Sequence, residues 1–96
     1  MNISYQNRPV EGRLFHISAD GVSGTAHFKA HLDGAPFWEH ECPNPPCHEE
    51  WRVPPGIAGS TLLITVRDNE EEHELLFFIN DDGEGVPEKQ VVKKFA

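Results

Sequence analysis

The chain has 96 residues, 38% of them hydrophobic, and 16 acids against 8 Lys and Arg give a formal charge of −8. That length holds one domain, residues 1–96, without a second core. The charge argues against nucleic acid and anionic membranes, which recruit clustered Lys and Arg, and leaves another protein or self-association as the expected partner. The opening MNISYQNRPVEG has no basic segment leading into an apolar run, and no later stretch is long and apolar enough to span a bilayer. The cytoplasm is therefore the default expectation.

In chain order, Arg13 to Ser18 alternates weakly. Thr25 to Leu32 alternates clearly, with Ala26, Phe28, Ala30 and Leu32 on one face and Thr25, His27, Lys29 and His31 on the other. That is the period of a half-buried strand. After a turn at Asp33-Gly34-Ala35-Pro36, a short strand is expected at Phe37 to Glu41, and the Asp-Gly pair predicts a tight hairpin joining it to the preceding strand. From Cys42 to Pro55 five prolines intervene (Pro43, Pro45, Pro46, Pro54, Pro55). Proline cannot donate to a ladder, so this stretch is expected as an extended loop or edge. Thr61 to Arg67 predicts a core strand with Leu62, Ile64 and Val66 inward.

Beyond it the pattern divides. Asp68 with Glu71 three residues on fits a helix cap leading into Glu72–Ile79, but Leu75-Leu76-Phe77-Phe78-Ile79 is rich in strand formers, and a hairpin is preferred. Asn80 to Gly85 predicts a turn, and Val91 to Phe95 a last edge strand. The fold class expected is all-β: a small antiparallel sandwich of five to eight short strands, with at most one short helix.

Three groups of residues suggest chemistry. His40, Cys42, Cys47 and His48 lie within nine positions and are the ligand types Zn²⁺ takes in tetrahedral sites, although one short loop supplying all four is sterically demanding. Reduced cysteines, a Zn²⁺ site and a local Cys42–Cys47 disulfide all remain open. Phe37, Trp38 and Trp51 flank the proline-rich loop and either anchor a partner or close one end of the core. His27 and His31, with Lys29 between them, are expected on a solvated outer face. Nine of the acids fall between Asp68 and Glu88, where Asp81-Asp82-Gly83-Glu84 offers Ca²⁺ only part of a calcium loop.

AHFKAHLDG, Asn44-Pro45, Glu50-Trp51 and Leu62-x-Ile64-x-Val66-x-Asp68 resemble segments of the calcium- and lipid-binding sandwich domains of the protein-kinase-C type. The resemblance runs from Ala26 to Glu70 and implies a β-sandwich with Asp68, and by extension Glu70 and Asp20, near calcium loops. The Trp-to-acid order is reversed from that family's, and the Leu-x-Ile-x-Val-x-Asp strand is equally similar to immunoglobulin-like domains. No paired carboxylates, phosphate-cradling Gly loop or nucleophile elbow is recognisable. The expected function is a non-catalytic interaction or assembly module binding another protein. The alternative is a zinc domain with a structural or regulatory role.

Overall fold

The computed structural model describes residues 1–6, 9–79 and 89–95, and the expected turn at Asn80 to Gly85, with its acidic cluster, lies outside them. The described residues form eight strands: β1 (Asn2–Gln6), β2 (Leu14–Asp20), β3 (Ala26–Leu32), β4 (Ala35–Cys42), β5 (Cys47–Arg52), β6 (Thr61–Arg67), β7 (Glu71–Phe78) and β8 (Lys89–Lys94). They form two antiparallel sheets, β1-β2-β5 and β4-β3-β6-β7-β8. The expected all-β sandwich is what the structure shows.

β1 with β2, β3 with β4, β6 with β7 and β7 with β8 pair as sequence neighbours, whereas β5 pairs with β2 and β6 with β3. The chain changes sheets between β2 and β3, between β4 and β5, and again between β5 and β6.

Alternation explains why the sheets pack. Phe15, Ile17 and Ala19 of β2 are buried, as are Ala26, Phe28 and Ala30 of β3 and Leu62, Ile64 and Val66 of β6. Phe15 meets Phe77 edge-on at 5.5 Å, so the two sheets interlock through aromatic side chains. Burying each such side chain contributes about 1.5–3 kcal/mol.

The helix considered at Glu72–Ile79 does not form. Glu71, His73, Leu75 and Phe77 are buried while Glu72, Glu74 and Leu76 are not; this period of two suits a strand with one face on the core. The Asp33-Gly34 hairpin forms as expected, both residues taking positive φ (49° and 84°) as a two-residue turn of the primed type requires. The proline-rich stretch divides. Pro43, Pro45 and Pro46 fall in the crossover and Pro54 and Pro55 follow the strand, leaving the proline-free Cys47–Arg52 to form β5 at a sheet edge.

Three carboxylates tie distant turns together. Asp68, only 4% exposed, accepts hydrogen bonds from the backbone N–H groups of Ser23 (2.9 Å), Glu70 (2.8 Å) and Glu71 (2.8 Å). Burial alone would raise its pKa. The three N–H groups and the nearby α-amino group outweigh that and hold it below the ordinary aspartate value. Asp33 accepts from Thr61 N (2.9 Å). Glu11 accepts from Gly56 N (2.8 Å) and Ala58 N (3.2 Å).

Candidate functional site

The Cys/His loop and the two tryptophans converge where β4 meets β5. β4 is an edge of the larger sheet and β5 an edge of the smaller one. Trp38 pairs with Ala30 in the β3–β4 ladder and so turns inward, where it stacks on Trp51 at 4.6 Å and 15°. Trp51 in turn meets Phe15 edge-on at 5.2 Å. Trp51 is buried, whereas Trp38 and Phe37 are half-buried and packed against the core. These aromatics therefore close one margin of the sandwich.

The four residues expected to hold zinc are arranged otherwise. Cys42 and Cys47 form a disulfide with Cα atoms 6.1 Å apart, so neither sulfur is a thiolate ready for a metal. His40 Nδ1 lies 2.5 Å from Glu49 Oε1, a link between the two sheets. Cys47 points into the core while His48, its neighbour on the strand, points outward and meets Ser18 Oγ at 2.9 Å. Adjacent strand residues face opposite sides, which is why the tetrahedral set does not assemble. Among the described residues no three His, Cys, Asp or Glu side chains are placed to hold a metal ion.

The calcium reading suggested by resemblance is also redirected. Both Asp68 oxygens are turned to backbone N–H groups, and Asp20 accepts from Asn2 Nδ2 at 3.2 Å. Asp68 thus secures a turn, and Asp20 ties β2 to its cross-strand partner on β1. His27, Lys29 and His31 take the outward face of β3 as expected, with His27 beside Glu41 at 3.3 Å.

A hollow of about 350 Å³ on the outer face of the smaller sheet was not visible in the sequence. It is lined in part by Ser4, His16, Ser18, His48 and Glu50. Ser18 and His48 are cross-strand partners, as are His16 and Glu50, the latter pair 3.1 Å apart. A serine touching an imidazole is one element of a nucleophilic site, but the base needs a third group to orient it. Here the nearby carboxylate is taken by the other histidine.

The opposite margin, where β1 faces β7, is built differently. Tyr5 meets Phe77 edge-on at 5.3 Å. The α-amino group of Met1 donates to Glu71 Oε1 at 2.6 Å, and His73 Nε2 lies 3.1 Å from the same oxygen. These bonds, those from the α-amino group first, hold the Glu71 carboxyl below its ordinary range. Two contacts, one from Met1 just before β1 and one from Tyr5 within it, set that strand over the β7 side of the larger sheet. β8 pairs with the far side of β7 and so extends beyond the smaller sheet. Phe78 (44%), Val92 (45%) and Phe95 (41%) are exposed here, and the Arg67 guanidinium lies over the Phe95 ring at 5.0 Å.

Comparisons with family models, curated proteins and solved structures returned no match. No helix of the described residues is long and apolar enough to cross a membrane.

Proposed function

We propose that the chain is a non-catalytic β-sandwich module that binds another protein. One observation carries this reading. Of the four large hydrophobic side chains left exposed among the described residues, three belong to β7, β8 or the residue just after β8; Leu14 stands elsewhere. Exposed apolar side chains concentrated on two neighbouring strands mark a contact surface. The acidic balance supports a protein partner over nucleic acid or an anionic bilayer.

The Cys42–Cys47 bond supports an oxidising compartment as the working location, in place of the cytoplasm expected from sequence. Alkylation of the protein inside intact cells, followed by intact-mass measurement, tests this. An unmodified mass is expected, and two added alkyl groups would return the protein to a reducing compartment.

Photo-crosslinking tests the binding role. A photoreactive amino acid is placed at position 78, 92 or 95 of the chain in its own cells, with position 14 as control. Discrete adducts of higher mass are expected from the β7–β8 margin and not from position 14. Equal adducts from all four positions, or none, would overturn the proposal.

A further inference from the structure

The geometry points to a specific mode of binding at that margin: the free edge of β1 takes up an extended segment of another protein, which becomes the fourth strand of the smaller sheet and lies over β8. This rests on the interaction-module reading above and names its partner class. Strand addition of this kind supplies affinity through main-chain hydrogen bonds and specificity through alternate side chains.

Sheet width is the first argument. β1 lies over β7, and β8 is one strand further out. Val92 pairs with His73, whose side chain is buried on the inner face; Val92 therefore points to the same side, yet it is 45% exposed. Neighbouring strands are spaced about 4.8 Å apart and packed sheets about 10 Å. One added strand beside β1 fills the place above Val92.

The second argument is the character of the edge. Sheets protect exposed edges with charges and proline. β4 carries Pro36, Glu39 and Glu41, β5 carries Glu49, Glu50 and Arg52, and β8 carries Lys89, Lys93 and Lys94. β1, Asn-Ile-Ser-Tyr-Gln, has neither charge nor proline. Among the described residues it pairs with β2 alone. Among the described residues it is the one edge of the four with neither charge nor proline, and it borders the exposed Val92.

The third argument removes a second copy as occupant. Antiparallel pairing of β1 with its counterpart about a two-fold axis would set the other copy's β7, which lies under its own β1, where β8 already runs. A single extended segment meets no such obstacle. Its chemistry follows from its neighbours. Apolar side chains at every second position would face Val92 and flank Ile3 and Tyr5, and small polar ones would face outward beside Asn2 and Ser4.

The experiment maps the adducts formed from a photoreactive residue at position 92 by peptide mass spectrometry. Hydrogen exchange of residues 2–6 is then followed on adding a synthetic peptide of the mapped segment. The expected result is one partner segment of alternating apolar residues, slowing of β1 amide exchange by at least tenfold, and at least tenfold weaker peptide binding by Val92→Lys and by Ser4→Lys. Both variants should keep the parent's melting temperature within a few degrees, since each places Lys at an exposed or half-exposed site. Adducts to residues 80–88 of the same chain, or to a second copy, would overturn strand addition. So would a partner whose binding survives Val92→Lys but is lost in Phe78→Ser; that outcome would leave the interaction module standing. No adduct from position 78, 92 or 95 would sink both.

Discussion

The two margins of this sandwich solve the same geometric problem in opposite ways. In each, the five-stranded sheet reaches one strand past the three-stranded sheet, with β4 at one side and β8 at the other. At the β4 margin the overhang is folded in. Trp38 stacks on Trp51, His40 reaches Glu49, and a disulfide joins the strands that cross between the sheets. At the β8 margin the overhang stays open, with Val92 exposed beside an uncharged edge strand. The difference sets a margin closed by ring stacking, a hydrogen bond and a disulfide against one whose apolar side chain meets solvent.

Substitutions sharpen the contrast, and the largest effect is expected at the closed margin. Trp51→Ala removes a buried ring that touches both Trp38 and Phe15, and should cost about 3–5 kcal/mol in chemical denaturation. A loss below about 1 kcal/mol would mean that this margin does not hold the sheets together.

Asp68→Ala comes next, at about 2–3 kcal/mol, because it leaves turn N–H groups of Ser23, Glu70 and Glu71 without their acceptor. Its carboxyl is held below the ordinary aspartate value. The stability it confers is therefore full above the unfolded-state value and is lost as pH falls below about 4. Asp68→Asn should flatten that acid limb of the stability curve, and an unchanged limb would assign it to other carboxylates.

Replacing both cysteines by alanine opens a short loop and should cost about 2 kcal/mol. A thermal melt of the double variant, compared with the reduced parent, separates the lost bond from the lost sulfur packing. The smallest effect is expected at the open margin. Val92→Ala should shift stability by about 0.5 kcal/mol or less. A cost comparable to that of Trp51→Ala would show that β8 is covered in the free protein, and the comparison between the margins would fail.

Much of the sandwich was legible because alternation is a local signal. β6 lies at Thr61–Arg67, where the sequence placed it, and β3 at Ala26–Leu32 differs by one residue from the expected span. β1 escaped notice because Asn-Ile-Ser-Tyr-Gln is short and only weakly apolar; it becomes a strand by pairing with β2. β5 was obscured by the prolines on both sides of it. Of the candidate site, the unusual density of Cys and His around the crossover was plain. Whether the sulfurs would meet a metal or one another depended on which way successive side chains point once β5 exists. The hollow holding Ser18 and His48 depends on register between strands separated by two others in the chain, and no local pattern encodes that.

Asp68, Asp33 and Glu11 act as rivets between turns that lie 45, 28 and 45 residues apart or more along the chain. For anyone remodelling this domain, the consequence is that its turns are not interchangeable one at a time. A graft into residues 21–24 would unseat the turn at residues 68–71, and new loops would have to be installed in matched pairs.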